Sequence, residues 1–138
     1  MEYLLDTNVL SDFVRGEPAV SEKLRSVSPQ SLAVSTVTVM EIEYGLKLDP
    51  RRAIGIAPVV HSLLRAVRIL PFVRRDARAA ASVRADLKRR GRPIGPYDVL
   101  LAGCAVARGL ALVTSNAGEF ERVSGLTVEN WRDRGIRG

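Results

Sequence analysis

The sequence predicts an α/β fold, a parallel sheet of four to five strands with helices on both faces. Short apolar runs of strand length alternate with longer segments of helical period along the chain. Helices separate the strands, and strands joined by helical crossovers pair in parallel. At 46% hydrophobic and 26% charged, the composition is that of a globular chain, neither disordered nor membrane-embedded.

The elements follow in order. Leu4-Leu5 is the core of a first strand, and Asp6-Thr7-Asn8 caps a short helix from Asn8 to Arg15. A helix from Pro18 to Val27 opens on proline, which suits a first helical turn. Leu32-Ala33-Val34 is a second strand, after which Thr36 or Thr38 caps a helix carrying Val39, Ile42 and Leu46. Arg51 to Val67 and Asp76 to Arg90 read as longer helices, with Ile69-Leu70 as a third strand between them. The loop Gly91-Arg92-Pro93-Ile94-Gly95-Pro96 leads into a strongly apolar helix, Pro96 to Arg108, expected to be buried on most sides. Gly109 stops that helix. Ala111-Leu112-Val113 is a fourth strand, and Leu126-Thr127-Val128 a fifth at an edge.

A length of 138 residues fits a single domain over 1–138, with no repeat or linker. Such a chain buries roughly two-thirds of its unfolded surface and needs no disulfide to fold. Cys104 is the one cysteine and His61 the one histidine, which excludes an intrachain disulfide and a Cys/His zinc site. Cys104 reads as core, His61 as helix surface and Trp131 as a packing anchor for the tail. With 21 basic and 15 acidic residues the net charge is +6, and the pI is near 10.2, a balance that favours polyanionic partners. The start, Met1 to Asp6, has no basic leader region, and the longest apolar run, Val99 to Ala107, is far below the ~20 residues of a membrane helix. A cytoplasmic protein without membrane contact is expected.

In an open parallel sheet, ligands sit outside the carboxyl ends of the strands. Asp6 follows the first strand, and Ser35-Thr36 after the second lead to Glu41. Thr114-Ser115-Asn116 follow the fourth, with Glu119 a turn on, and Asp98 opens the helix before that strand. Each has an ordinary explanation. Asp6 can be a helix cap, Asp98 can complement a helix dipole, Glu41 and Glu43 can be solvated, and Glu119 can form a capping box with Asn116. Together they weigh differently. Two unit charges ~4 Å apart repel by about 4 kcal/mol at an effective dielectric near 20. Several carboxylates at one mouth therefore call for protonation or a cation. Oxygen donors without Cys or His select Mg²⁺ or Mn²⁺. In a basic protein such a site points to phosphodiester chemistry.

These residues resemble the PIN-domain ribonucleases. Leu4-Leu5-Asp6-Thr7-Asn8 is similar to the family's opening, and Ser35-Thr36-Val37-Thr38-Val39-Met40-Glu41-Ile42-Glu43-Tyr44-Gly45 to its second motif. Pro93-Ile94-Gly95-Pro96-Tyr97-Asp98 and the residues to Gly103 resemble the third, and Leu112 to Val123 the fourth. With Gly125 to Trp131 the likeness spans nearly the whole chain, and its closest branch is the VapC toxins of toxin–antitoxin systems. The resemblance implies a three-layer α/β/α sandwich and a Mg²⁺- or Mn²⁺-dependent endoribonuclease. Asp6, Glu41, Asp98 and Glu119 would be its acidic quartet. Asp6 and Asp98 would be the primary metal ligands. Glu41 and Glu119 would act through water or a second ion. Thr7, Asn8, Thr114 and Asn116 would hydrogen-bond these carboxylates or the scissile phosphate. Many family members carry Asp where this chain has Asn116, so Glu119 is the fourth acid here. The resemblance also implies neutralisation by a VapB-type antitoxin, a homodimer, larger toxin–antitoxin complexes that meet DNA only through the antitoxin, and a structured RNA such as tRNA as substrate.

Other readings fit less well. A haloacid-dehalogenase-type phosphatase needs a second Asp where Asn8 stands, and a flap or DNA-repair nuclease needs more acids and more chain. A non-catalytic RNA-binding or scaffold protein would be expected to lack one of the four acids. The run Lys88, Arg89, Arg90 and Arg92 leads into the loop before Asp98 and is expected to grip RNA phosphates.

Overall fold

The computed structural model describes residues 1–132; the last six residues of the expected domain lie outside the described residues. Strands β1 (Tyr3–Leu5), β2 (Leu32–Ser35), β3 (Arg68–Leu70), β4 (Ala111–Val113) and β5 (Val128–Glu129) form one parallel sheet in the order β3-β2-β1-β4-β5. Helices α1 (Thr7–Val14), α2 (Pro18–Ser26), α3 (Thr36–Leu48), α4 (Pro50–Ala66), α5 (Arg74–Arg89), α6 (Pro96–Arg108) and the short α7 (Ala117–Phe120) surround it.

Three layers follow from the period of two along each strand. Leu4, Ala33 and Leu112 point to one face, where α5, α6 and α7 supply Val83, Leu87, Ala102, Ala105 and Phe120. Leu5, Val34 and Val113 point to the other, where α1 to α4 supply Val9, Leu10, Val20, Leu24, Ile42 and Leu63. Strands covered on both faces need near-continuous apolar runs, which is why these three are so apolar. The α/β/α sandwich expected from sequence is the observed architecture.

Element boundaries differ from the sequence expectation where local hydrogen bonds decide. Ser35, not Thr36 or Thr38, caps α3: its extended backbone lets Oγ accept from Val37 N at 3.0 Å. Thr36 is already in the helix, where its hydroxyl accepts from Phe72 N, and Thr38 is fully buried. Helix α5 starts two residues early because Asp76 reaches back to accept from Val73 N at 2.9 Å. The fifth strand lies at the expected edge but shifts to Val128–Glu129, opposite Leu112 and Val113. Cys104 is fully buried, as expected. His61 is half-exposed and joins α4 to Glu43 of α3 at 3.0 Å. Trp131 packs edge-on against Tyr3, and Arg132 grips buried Asp12 of α1 through two hydrogen bonds. No helix among the described residues is long and apolar enough to cross a membrane.

Helices α5 and α6 touch backbone to side chain. A Cβ on Gly103 would stand 2.6 Å from the backbone and Cβ of Ala80, so no larger residue fits at that crossing. The same interface holds a buried ion pair. Arg108 donates to both oxygens of Asp76, at 3.0 and 2.9 Å, and to Pro71 O. Its side chain is 8% exposed and that of Asp76 is 0% exposed. Burial alone would raise the Asp76 carboxyl, but bonds from Arg108 and Val73 and the charge of Arg108 outweigh it and hold the group below its ordinary value.

A depressed carboxyl contributes stability above its unfolded pKa of about 3.9, and that contribution is lost as pH falls through the lower folded value. Asp76→Asn is expected to cost about 3–5 kcal/mol at pH 7, because it strands a buried guanidinium. In urea titrations from pH 7 down to 2, the advantage of the native chain over the variant should fade below about pH 4. An advantage that persisted at pH 2 would show that the pair is not the cause.

Candidate active site

The strand order turns about β1: β2 and β3 lie on one side, and β4 and β5 on the other. The connections therefore diverge at the carboxyl ends of β1 and β4, leaving a crevice there. Asp6 is the first residue after β1, and Thr114 the first after β4.

Asp6 is both helix cap and site residue. Its Oδ1 accepts from Thr7 N at 2.6 Å, which caps α1. Its Oδ2 accepts from Thr114 Oγ1 at 2.8 Å and Asn8 Nδ2 at 3.1 Å. Thr114 Oγ1 in turn accepts from Asn116 N at 2.9 Å, and Asn8 Oδ1 from Ser115 N at 3.1 Å. The ends of β1 and β4 are thus laced together by side chains. Burial raises the Asp6 carboxyl, the bonds from Thr114, Thr7 and Asn8 oppose that, and Glu119 adds to the rise.

Glu41 lies in the second turn of α3, and its Oε1 accepts from Thr7 Oγ1 at 2.9 Å, which ties α3 to the crevice. Asp98 lies in the first turn of α6, and Glu119 in α7. Glu119 is held by Gly95 N at 3.0 Å on Oε1 and by Asn116 Nδ2 at 2.7 Å on Oε2. The Gly95 and Asn116 hydrogen bonds are the main reason that its carboxyl is lowered. The opposite holds for Asp98. Burial, a hydrogen bond with Glu119 and the charges of Glu119, Asp6 and Glu41 push it up to about 7. Asp98 is therefore the acid of this pair that is more readily protonated. All four sequence-selected acids reach one mouth; Asn8 and Thr114 bond Asp6, Asn116 bonds Glu119, and Thr7 bonds both Asp6 and Glu41.

Among the described residues, no three acidic, histidine or cysteine side chains form a ready-made cage for an ion. The donor set nonetheless fits Mg²⁺ or Mn²⁺. Mg²⁺ is usually held by one or two carboxylates and keeps several waters, and the donors here are oxygens only. The raised Asp98 marks a concentration of negative charge that a divalent cation would balance.

Two structural contributors escape a reading of the sequence. Arg122 donates to Pro93 O at 3.0 Å, and Arg90 donates to the Arg122 carbonyl and to Asp86. They clamp the loop before Asp98 against α7. Arg90, expected in the RNA grip with its neighbours, is turned onto protein partners instead. Lys88, Arg89 and Arg92 are exposed at the same end of α5, with no ion pair among the described residues. A run of cations in sequence does not say which of them an acid or a carbonyl will claim.

Two grooves open at this end. One, about 210 Å³, lies between α1, α3 and α4, with Leu10, Val14, Ile42, Leu46 and Ile56 on its walls and Thr7 and Glu41 at the crevice. The other, about 640 Å³, runs between α5 and α6, past Arg84 and Lys88 to Pro93, Ile94 and Pro96.

Because Asp98 is charged at a cost, Asp98→Asn should raise the melting temperature in EDTA. At pH 8 a rise of roughly 3–5 °C is expected, the shift that about 1 kcal/mol produces at this size. The gain should shrink at pH 5, where Asp98 is already protonated. A melting temperature lowered at pH 8 would mean that Asp98 is mainly a structural cap.

Comparison with known proteins agrees with this geometry. The PIN domain family model matches residues 3–126. The chain is 34% identical over 131 residues to the tRNA(fMet)-specific endonuclease VapC of Shigella flexneri, covering 95% of this chain and 98% of that protein. It superposes on the crystal structure of DNA-bound VapBC from Salmonella typhimurium with a TM-score of 0.85 and 34% identity, over 95% of this chain and 98% of that one. VapBC2 from Rickettsia felis, bound to a DNA fragment from its promoter, gives 0.86 at 27% identity, over 95% and 99%. With a sheet order that opens a crevice at β1 and β4, acids from four elements meeting there, and relatives matched nearly end to end, the chain belongs to the PIN-domain family, in its VapC branch.

Proposed function

We propose that this chain is an endoribonuclease toxin that hydrolyses RNA phosphodiesters with Mg²⁺ or Mn²⁺. The observation that carries the reading is the convergence of Asp6, Glu41, Asp98 and Glu119 on one crevice, with Asp98 raised to about 7 by burial and by its acidic neighbours. Bound there, the cation would lower the pKa of a water and balance the charge that builds on the phosphate. Asp6 and Asp98 hold it. The hydrogen bonds from Thr114, Asn8 and Thr7 N aim Asp6 and leave it little freedom. Glu41 and Glu119, each fixed by a neighbouring donor, orient the attacking water or a second ion. Lys88, Arg89 and Arg92 meet the phosphates flanking the cut. A structured RNA such as tRNA is the substrate class, a choice that the names of the Shigella flexneri and Salmonella typhimurium relatives support.

A VapB-type antitoxin restrains the activity in the cytoplasm. The apolar groove between α1, α3 and α4 ends at Thr7 and Glu41, so an amphipathic segment lying in it would bring a basic side chain to the acids. The VapBC complexes on DNA support such a partner, and the DNA contact of such an assembly is assigned to the antitoxin. On the outer face of α3, Met40, Tyr44 and Leu48 form an exposed stripe at helical spacing, Tyr44 being 60% exposed; this supports a homodimer.

Purified chain should cleave total cellular RNA with Mg²⁺ or Mn²⁺ and lose that cleavage in EDTA. Asp6→Ala and Asp98→Ala should reduce it to background while remaining folded. Cleavage that survives EDTA or Asp98→Ala would sink the metal-nuclease reading, and a folded chain inert under all conditions would favour a non-catalytic RNA binder.

Replacing Lys88 and Arg89 by Ala should weaken RNA binding and lower its salt dependence. For single-stranded RNA, each phosphate that a cation no longer neutralises takes about 0.7 off the log–log slope. An unchanged slope would make these residues a merely solvated face.

A further inference from the structure

The loop before Asp98 contains a glycine that the backbone does not require. Gly95 has φ −59° and ψ 154°, the extended region that any residue preceding proline adopts. What lies around its Cα is the unusual part. A Cβ built there would meet Asp98 Oδ2 at 3.2 Å, Asp98 Cγ at 3.7 Å and Glu119 Oε1 at 4.0 Å. These three nearest atoms all belong to two acids of the mouth, Asp98 and Glu119. The Gly95 N–H donates to the same Glu119 oxygen at 3.0 Å.

We infer that Gly95 is the positioning residue of the acidic mouth: its N–H fixes Glu119, and its bare Cα lets Asp98 come alongside. The inference rests on the reading of the site given above. Gly95 touches neither cation nor substrate and acts through the two acids. A methyl group at this Cα would push the Asp98 carboxylate outward by a few tenths of an ångström, while leaving the N–H in place. Asp98, which with Asp6 would hold one small cation, tolerates little such displacement, because Mg²⁺ demands near-ideal octahedral geometry. The loop itself is held from both sides. Arg122 fastens Pro93, and Pro96 begins α6, so the backbone at Gly95 cannot drift to absorb the methyl. Gly118 supplies the contrast. A Cβ there would meet nothing within 4 Å apart from its own chain neighbours, so the crowding at Gly95 is not shared by the glycine of α7.

A structural role and a positioning role differ in sign. Gly→Ala at a residue with permissive backbone angles narrows the unfolded ensemble, so Gly95→Ala should melt in EDTA at the same temperature as the native chain or above it. Its Mn²⁺ affinity, titrated calorimetrically without RNA, should fall about tenfold, in the range seen when groups that orient metal ligands are altered. In cleavage, kcat should fall with KM for RNA unchanged. Gly118→Ala should bind Mn²⁺ as the native chain does. An Mn²⁺ affinity of Gly95→Ala within about twofold of the native chain overturns the inference. So does a melting temperature in EDTA that falls along with the affinity, since that outcome makes Gly95 a structural residue. Asp98→Ala separates the two levels of the argument. If it loses Mn²⁺ while Gly95→Ala keeps it, the site stands and the role of Gly95 falls. If it keeps Mn²⁺ and cleavage, the site reading falls and the role of Gly95 falls with it.

Discussion

Like charges crowded at one crevice are the constraint on which the rest of this structure turns. A parallel sheet that reverses its order at β1 must leave a gap where the crossovers part, and the chain fills that gap with acids from four elements. The neighbouring groups divide them. Hydrogen bonds stabilise the charge on Asp6 and Glu119. Asp98, half-buried in α6 beside Glu119 and within the field of Asp6 and Glu41, is pushed up to about 7, while Glu119 is held low by its donors. The polar residues around the mouth, from Asn8 to Asn116, keep carboxylates in place that would otherwise push one another apart.

Resisting that repulsion requires stiffness below the site. The strands are short, yet both faces of β1, β2 and β4 are sealed by separate helical layers. On one of these layers α5 and α6 approach to the limit that Gly103 and Ala80 allow, and the Asp76–Arg108 pair fastens their far end. Helix α6 is thus anchored at its carboxyl end, and its amino end carries Asp98. The carboxyl end of α5 and the loop after it are clamped to α7 by Arg90 and Arg122, and α7 carries Glu119. Asp98 and Glu119 therefore sit on elements braced against each other, not on free loops.

Much of this is legible in the sequence, for identifiable reasons. Layering follows from alternation within Leu4-Leu5, Ala33-Val34 and Leu112-Val113, which needs no tertiary information. Helix α6 is legible to the residue because Pro96 opens it and Gly109, at φ 66°, closes it. The four acids stand out because strand ends are the one place where a parallel fold collects polar groups. Long-range hydrogen bonds are not legible. Ser35 outcompetes two threonines as cap because of its own extended backbone, and Arg90 finds Asp86 and the Arg122 carbonyl, partners that no local pattern names. In sequence Asp6 reads as either cap or functional acid. Its two oxygens serve different elements, so the alternatives are not exclusive.

The same electrostatics bears on how a partner can restrain the enzyme that we propose. A mouth that attracts a divalent cation attracts any cation of similar reach, and a guanidinium or ammonium presented by a bound chain competes for the same carboxylates. Such competition is weak from free solution, where an exposed ion pair contributes about 1 kcal/mol or less. It becomes strong when the cation is tethered, because an apolar segment held in the neighbouring groove raises its effective concentration at the acids. The groove between α1, α3 and α4 reaches the crevice at Thr7 and Glu41, and Thr7 also caps onto Asp6 through its N–H. One residue thus borders both the surface on which a partner would lie and the carboxylates it would neutralise. Inhibition by such a route needs no change of fold: the repulsion that prepares the mouth for a metal prepares it equally for a tethered basic side chain.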